Sequence, residues 1–517
     1  MVPVSKEWKA MHDELLLPET YIELSYGITD PQLATAANTS ATDEEFFSEA
    51  EEITNALDKN TERYATLELN EWGLDGTFNY FDETPTDVGY VTAGLSGADA
   101  KYTGIPTITI QFSTVRTSLI PGLTITWGAG LDEWATSFRV TVYNGSTRLE
   151  QISVTDNTSV ASQLFADLQN FNKIVIEVFE WCLPYRRCRV TEVFLGIRET
   201  YTKAELLGYT HSESADLLSA MLPKNEIVFS LDNSTGRWNP NNPTGAEKYL
   251  LERQEVVVKY GMDVNGRVEK IKAGTFWLSE WNTPSNGIEA SFTARDALTF
   301  MNDVYTGIRS GTLKAIANAA FAQANLPTMP DGSARYYVDD SLSGMSTDFE
   351  EETTQYTIVE VLQMIAHTAC CVFYQNRDGM VRIEPHNAEI TDYEIKRFHS
   401  YVHPEISISK PLKAVTVNYG DDQKETVSVD AQGETQTVSN EFINTATDAH
   451  RVANRTADVL RGRTTISGEY RADPRLSALD VITVESKYAN NQVAITEIKY
   501  TTSGGAFRGT YTGRITG

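Results

Sequence analysis

Alternation of apolar and polar side chains at every second position dominates the sequence. The densest group of such runs lies between residues 67 and 200, is rich in β-branched residues, and is punctuated by turn dipeptides such as Pro121-Gly122 and Asn144-Gly145. The runs cover residues 107–112, 123–127, 137–143, 173–179 and 189–195. Strands at this spacing, without a helical pattern between them, predict a β-sandwich.

The rest of the chain mixes strand patterns with a few helical ones. Residues 21–26 alternate at period two, and further alternating runs begin at residue 225, among them 255–261, 275–281 and 414–419. Apolar residues at helical spacing occur in three main stretches, at 312–323, 357–369 and 446–461. The pattern therefore predicts a mainly β fold with small α/β parts.

Length and charge narrow the classes of protein. A chain of 517 residues is too long for one hydrophobic core, since single cores stop growing near about 250–300 residues. Its 43 lysine and arginine residues against 71 acidic ones give a net charge of −28. Such a chain repels phosphate backbones and anionic lipid, which excludes a sequence-independent nucleic-acid binder. It does not exclude an assembly in which acidic surfaces meet basic partners.

Cysteine usage and the N-terminal segment indicate where the protein folds. Four cysteines are too few for a disulfide framework, which fits a reducing cytoplasm, and the sequence leaves open whether Cys182 and Cys188 pair. Asp13 and Glu14 stand where a secretory signal needs an apolar core, and no run approaches the about 20 apolar residues of a membrane span. We therefore expect a soluble protein.

Motifs for catalysis or metal binding are scarce. The sequence contains no Gly-x-Ser-x-Gly, no Walker loop and no His-Glu-x-x-His. His399 and His403 have the spacing of helical metal ligands, but Tyr401, Val402 and Pro404 favour an extended segment, in which the two histidines lie about 13 Å apart. We therefore predict no catalytic residue, no cofactor and no metal site, and expect that the chain is not an enzyme.

Aromatic and basic side chains cluster in the predicted loops of the sandwich. Exposed aromatic rings stack on sugars, and arginine donors fix hydroxyl groups. The candidate carbohydrate-binding residues are Trp134, Trp181, Tyr185, Arg186 and Arg187. Burial in the sandwich core is the favoured alternative for Trp181, whereas Arg186 and Arg187 are expected to be exposed.

The strand pattern of this block resembles the galactose-binding, discoidin-like jelly roll. The likeness lies in residues 138–145, followed by 174–178 and 190–196. It concerns the order of strands and not a strict motif, so it implies the jelly-roll fold more firmly than a carbohydrate ligand.

The segments outside the sandwich resemble, in order, the baseplate hub or tail-tip proteins of tailed bacteriophages. Residues 227–240 and 251–261, a Gly-x-Phe strand at 274–281 and an Ala-x-Asp-x-Leu ending at 294–298 are similar to the first β-domain of that family. The later motifs are a helix at 357–369 with the Asp378-Gly379 hairpin, a Pro-x-Leu-x-x-x-Asp turn at 474–480, and the Gly504-Gly505 hairpin. They resemble the small α/β domain and the second β-domain of the family.

This resemblance implies a hub of two barrel-like β-domains with the sandwich inserted after the first strand, since insertions are tolerated where the ends of a loop lie close together. The expected segments are residues 1–40 with the first strand of β-domain I, an acidic linker 41–66, the inserted sandwich 67–200, a connecting segment 201–222, the rest of β-domain I at 223–305, the α/β domain 306–400 and β-domain II at 401–517.

By the same resemblance, the protein is a structural hub at the virion tail tip, assembled in the host cytoplasm. The expected partners are two further copies in a homotrimeric ring, the distal tail protein ring, the tape measure protein, a central spike or fibre, DNA in transit, and host cell-wall polysaccharide on the sandwich. The alternative is a glycan-active enzyme or a host-receptor-binding protein that carries a carbohydrate-binding sandwich.

Overall fold

The computed structural model describes residues 1–14, 20–30, 32–54, 64–66, 68–69, 71, 78, 88–128, 130–242, 245–264, 267–284, 287–329, 333–348, 355–420, 422–503 and 506–516. Strands predominate and helices are few, which confirms the mainly β fold class. Residues 55–63 of the predicted acidic linker and the predicted Gly504-Gly505 turn lie outside the described residues.

The chain forms two compact units. The first contains residues 1–24, 201–241 and 256–517, and the second contains residues 25–200 and 242–255. Along the sequence, the second unit therefore interrupts the first after its opening strand and once more after residue 241.

The strands in the first half of the chain are β1 Thr20–Thr29, β2 Ala37–Ala41, β3 Tyr90–Leu95, β4 Thr107–Arg116, β5 Ile120–Trp127, β6 Ala135–Asn144, β7 Thr147–Val154, β8 Ala161–Leu168, β9 Phe171–Trp181, β10 Arg187–Phe194, β11 Gly196–Tyr201, β12 Leu206–Ser214, β13 Lys224–Asp232 and β14 Glu255–Val264. Those that follow are β15 Arg267–Asn282, β16 Glu289–Arg295, β17 Ser310–Thr312, β18 Tyr336–Val338, β19 Ser346–Asp348, β20 Val372–Gln375, β21 Val381–Glu384, β22 Ile390–Ile395, β23 Glu405–Ile408, β24 Leu412–Tyr419, β25 Gln423–Ser428, β26 Glu434–Ser439, β27 Thr464–Arg471, β28 Val481–Glu485, β29 Asn490–Ser503 and β30 Ala506–Ile515. The α-helices are α1 Lys6–His12, α2 Leu33–Ala36, α3 Leu313–Ala324, α4 Ile358–Thr368 and α5 Ala446–Arg461. Short 3-10 helices cover Ala50–Glu52, Glu247–Tyr249, Ala297–Met301, Asp340–Gly344 and Arg397–His399.

Most strands of the first unit join in one continuous sheet. Its order is β1, β14, β15, β16, β13, β12, β29, β30, β27 and β23. The strands that precede the helical region meet those that follow it at β12, which pairs antiparallel with β13 on one side and with β29 on the other. The prediction of a connector at 201–222 is therefore wrong over β12. Its inward-facing positions include the buried polar residues His211 and Glu213, which hide the apolar alternation of a strand.

The α/β region of the first unit lies between β16 and β23 in sequence. Helices α3 and α4 are present as predicted, and α5 follows later. Thr357 caps α4 by accepting the Glu360 backbone N–H, and the Glu360 carboxylate accepts the Thr357 backbone N–H in return. Helices α3 and α4 and the predicted hairpin β20–β21 share one hydrophobic core. Its members include Ile316, Phe321, Leu362, Ile365 and Phe373.

No helix in the described ranges is both long enough and apolar enough to cross a lipid bilayer.

The second unit is built on two facing sheets with a shared core. One sheet has the order β2, β4, β9, β6, β7, and the other has the order β3, β10, β5, β8. Residues from both, including Trp127, Phe138 and Ile176, form a single hydrophobic cluster, so this unit is a β-sandwich.

Residues 42–54 belong to this sandwich, so the prediction of a solvated linker is wrong for them. Ile53 lies in the sandwich core, its carbonyl accepts the Val193 backbone N–H at 2.7 Å, and Phe47 and Ala50 are also buried. Buried residues at three-residue spacing hold the acidic segment against the sheets, and the Asp43 carboxylate adds to this by accepting the Gly94 backbone N–H.

Candidate functional site

The loop end of the sandwich contains the residues predicted to bind carbohydrate. Trp181, the last residue of β9, is 1% exposed, and its indole Nε1 donates to Glu133 Oε2 at 2.8 Å. Its ring packs edge-on against Trp127, with the centroids 6.2 Å apart. Trp181 therefore offers no ring face to a sugar, in agreement with the alternative of core burial.

Arg186 lies directly beside Trp181 in this arrangement and is also internal. It is 6% exposed, so the expectation that it is exposed is wrong. Its Nε donates to Glu133 Oε1 at 2.9 Å, one NH2 pairs with Glu71 Oε2 at 2.8 Å, and the other donates to the Leu69 carbonyl at 2.6 Å. A buried guanidinium is tolerated because such partners satisfy it, and these partners come from distant parts of the sequence. Arg186 therefore holds Glu133, which in turn holds Trp181.

The ion-pair cluster continues to Arg189 and Glu68. Arg189 donates to Glu68 Oε1 at 3.0 Å, and Glu68 Oε1 also accepts the Arg187 backbone N–H at 2.6 Å. Burial favours a higher pKa of the Glu68 carboxyl, but the charge and hydrogen bonds of Arg189 outweigh it and lower that pKa. Burial and the neighbouring Glu133 raise the pKa of Glu71 to about 7. The cluster thus holds two guanidinium groups against three carboxyl groups, and the excess of acid contributes to the raised pKa of Glu71.

Space beside this cluster is small. A cavity of about 50 Å³, lined by residues that include Phe47, Leu131 and Arg189, lies next to it. This volume has room for a few water molecules at most and does not accommodate a sugar ring.

Tyr185, Trp134 and Arg187 complete the predicted set. Tyr185 is 40% exposed and has a left-handed backbone with φ of 58°, which residues other than glycine rarely adopt. Trp134 is half-buried, and Arg187 pairs with Glu45 at 2.7 Å. The structure therefore leaves Tyr185 and part of Trp134 as the aromatic surface of this loop end. Nearby, Cys182 and Cys188 are both free thiols, which answers the question that the sequence left open.

A second candidate surface lies at the end of the large sheet, on β23. Within the described residues, β23 pairs on one side only, with β27. All of its residues are exposed, and Ile408 is 68% exposed. The apolar side chains exposed on and just before this strand are Phe398, Tyr401, Val402, Ile406 and Ile408. We call these five residues the edge patch.

The edge patch differs in charge from the rest of the chain. Between residues 396 and 413 there are four lysine or arginine residues and one acidic residue, in a protein with a net charge of −28. An exposed strand edge offers unpaired backbone groups to another chain, and the basic residues on either side would attract an acidic one. The alternation of apolar and polar residues could not identify the edge patch, because only the sheet topology shows which strand lies at an edge.

The two histidines with helical ligand spacing are not a pair. His399 is buried in the 3-10 helix Arg397–His399, whereas His403 is exposed in the irregular segment that follows. His399 instead faces His12 of α1, with the ring centroids 5.3 Å apart. Sequence spacing could not reveal this contact, because the two residues lie far apart in the sequence.

No model of a known protein family matches the sequence, and no curated protein sequence matches it significantly. Solved structures with a similar fold include the 43 kDa tail protein of prophage MuSo2 from Shewanella oneidensis, which is 13% identical with a TM-score of 0.42 over 61% of this chain and 94% of that one. A tail protein from Neisseria meningitidis MC58 is 10% identical with a TM-score of 0.44, over 62% and 94% of the two chains. Prophage tail protein gp18 from Listeria monocytogenes EGD-e is 11% identical with a TM-score of 0.38, over 61% and 91%. All three are tail proteins, and each has a TM-score below 0.5 to this chain.

Proposed function

We propose that this protein is a structural hub of a phage tail tip that assembles with further copies of itself. The observation that carries the proposal is the edge patch, in which an exposed apolar strand with basic flanks lies at the edge of a continuous sheet. Unpaired backbone groups on an exposed apolar edge are a template for pairing with another chain. The proposal requires no catalytic group.

The order of elements supports the same proposal. The strand before the sandwich, the strands after it, the α/β region and the C-terminal strands follow each other as the hub resemblance in the sequence implies. The finer assignment is a homotrimeric ring that joins the tail tube to a central spike or fibre, with the distal tail ring and the tape measure protein as neighbours.

The net charge gives the proposed ring a physical rationale. A passage through which DNA moves must not bind phosphate, and acidic walls repel it. With a net charge of −28, the chain has acidic residues in excess for such a wall, while the basic flank of the edge patch meets acidic surface on the next copy. We therefore place the protein at the virion tail tip, with DNA only in transit.

Light scattering after size-exclusion chromatography of the full chain tests this proposal. We expect a trimer at micromolar concentration that Ile406→Lys with Ile408→Lys converts to a folded monomer, because two charges would be buried at the strand edge. A matched control is Ile288→Lys. Ile288 directly precedes β16 and is as exposed as Ile408, so this substitution should leave the trimer intact. A wild-type monomer at tens of micromolar, or a trimer indifferent to both edge substitutions, would contradict the proposal.

Carbohydrate binding by the sandwich is a second proposed role, restricted to Tyr185 and Trp134. The observation that favours it is an exposed aromatic ring on strained backbone, a combination that occurs at binding sites. Binding of host cell-wall polysaccharide should fall at least tenfold in Tyr185→Ala. Release of reducing sugar from that polysaccharide would favour the glycan-active enzyme instead, and unchanged binding in Tyr185→Ala would remove this site.

A further inference from the structure

Three side chains from distant parts of the sequence meet within the first unit. His12 is the last residue of α1, Asp13 follows it, and His399 ends the 3-10 helix that precedes β23. One ligand atom from each, a ring nitrogen or a carboxylate oxygen, lies within 4.8 Å of the other two. Both histidines are almost fully buried, and the Asp13 side chain is 53% exposed.

Each histidine has one ring nitrogen without a hydrogen-bond partner. His12 Nε2 lies 3.4 Å from the Ala472 carbonyl, which leaves Nδ1 unpartnered. His399 Nδ1 accepts the Lys396 backbone N–H at 3.3 Å, and its Nε2 is unpartnered. Buried polar atoms of folded proteins normally have a partner, so two such nitrogens on neighbouring imidazoles call for an explanation.

The donor set is the one that zinc prefers. Imidazole nitrogens and a carboxylate oxygen bind Zn²⁺ at about 2.0–2.2 Å, which places neighbouring ligand atoms about 3.3 Å apart in a tetrahedron. Asp13 Oδ1 is already 3.7 Å from His399 Nε2. Asp13 is half-exposed at the end of a short helix, so its carboxylate can move, and the three ligand atoms, which now lie within 4.8 Å of one another, must draw together by about 1.5 Å at most.

We propose that His12 Nδ1, His399 Nε2 and Asp13 Oδ1 bind one Zn²⁺ ion, with water in the fourth position. The ion would fasten α1 to the segment that leads into the edge patch. This inference goes beyond the hub proposal and does not depend on it.

The charges around the three ligands bear on the strength of binding. Asp473 is fully buried and its Oδ2 lies 3.8 Å from His12 Nδ1, but Arg475 already pairs with this carboxylate. Lys396 holds Asp13 Oδ2 at 3.0 Å and opposes a cation, which makes it useful as a control.

Zinc binding would also break one hydrogen bond at His399. With zinc on Nε2, the remaining ring proton moves to Nδ1, and the contact with the Lys396 N–H must open. At 3.3 Å this contact is longer than the usual 2.9–3.0 Å of N–H donors, so little is lost.

Titration calorimetry of the untagged, metal-free full chain with Zn²⁺ tests the site. We expect one ion per chain with submicromolar affinity, no binding in His399→Ala, and at least tenfold weaker binding in Asp13→Asn. Asp13→Asn is the decisive variant, because an exposed position tolerates the change without loss of fold. His403→Ala should bind as the wild type does, and Lys396→Met should bind equally or more tightly.

Binding of Co²⁺ in place of Zn²⁺ can be followed by visible absorption, which would not change if these residues had only a structural role. Four-coordinate Co²⁺ absorbs strongly in the visible range, so the wild type should develop this absorption and Asp13→Asn should lose it. A wild type that binds no zinc, or Asp13→Asn and His399→Ala variants that bind it as tightly as the wild type, would overturn the proposal.

Discussion

Arg475 and Asp473, two residues apart in the turn after β27, form an ion pair that is hidden from solvent. Arg475 Nε donates to both carboxylate oxygens, at 3.0 and 2.9 Å, and neither side chain is more than 4% exposed. Removing one partner of a buried pair leaves an uncompensated charge and costs about 3–5 kcal/mol. We predict that Arg475→Met lowers the free energy of unfolding of the first unit by this amount in chemical denaturation followed by circular dichroism.

Two comparisons isolate the buried charge as the cause. The double variant Asp473→Leu, Arg475→Met should regain much of the loss, because no charge remains in the interior. Arg508→Ala, which breaks an exposed pair with Glu469, should cost less than about 1 kcal/mol. Equal costs for Arg475→Met and Arg508→Ala would contradict the prediction.

Glu213, on the inward face of β12, makes stability depend on pH. Burial raises the pKa of its carboxyl to about 7, and the carboxyl accepts the Ala478 backbone N–H at 3.1 Å. The pKa is higher in the folded state than in the unfolded state, so the contribution is complete below about pH 4.5 and is lost as pH rises through 7. A shift of this size corresponds to about 3 kcal/mol.

Glu213→Gln removes this dependence and keeps the oxygen that accepts the Ala478 N–H. We expect the variant to be more stable than the wild type by up to about 3 kcal/mol at pH 8 and nearly equal to it at pH 4.5. Thermal or chemical unfolding at the two pH values measures the difference. Glu405→Gln, at an exposed position on β23, changes the net charge equally and should show no such contrast. A Glu213→Gln gain that is the same at both pH values would disprove the assignment.

The regular elements were predictable because their cause is local. Strands of the sandwich alternate at period two, and helices α3, α4 and α5 carry apolar residues at helical spacing behind the N-cap threonines Thr312, Thr357 and Thr445. The motif at residues 474–480 has a structural basis too, since Tyr500 donates to the Asp473 and Leu476 carbonyls that frame this turn.

The errors arose where a distant residue determines the environment. Arg186 is buried because Glu71 and Glu133 pair with it, and β12 is a strand although its inner face carries His211 and Glu213. His211 bonds Tyr260 and Asn225 at 2.8 Å each, partners that its own segment does not contain. Neither periodicity nor spacing records such pairings, so the contents of the candidate site could not be derived from the sequence.

Gly122, in β5 of the sandwich, occupies a position that admits no side chain. Its φ is 133°, and a Cβ there would lie 1.8 Å from the Leu164 carbonyl oxygen. We predict that Gly122→Ala destabilises the second unit by about 2–4 kcal/mol, through backbone strain and displacement of β8. Gly104→Ala, where a Cβ meets nothing within 4 Å, should stay within about 0.5 kcal/mol of the wild type. Equal melting temperatures of the two variants would refute this.

Substitution of Arg186 should affect stability, whereas substitution of the adjacent Tyr185 should affect ligand binding. Arg186→Met removes the close ion pair of the buried Glu133 and leaves it Arg189 at 3.9 Å, so we expect a loss of about 3–5 kcal/mol in the unfolding of the second unit. Tyr185→Gly relieves a φ of 58° and should keep or raise stability by about 0.5–1 kcal/mol.

The two substitutions should also differ in their effect on glycan affinity. If Tyr185 supplies the stacking surface, Tyr185→Gly loses affinity for cell-wall polysaccharide without loss of fold, because the removed ring is exposed and holds no core contact together. Arg186→Met, compared at a temperature where it remains folded, should bind like the wild type. A loss of affinity in Arg186→Met with full binding in Tyr185→Gly would reverse the assignment and place the ligand at the buried cluster.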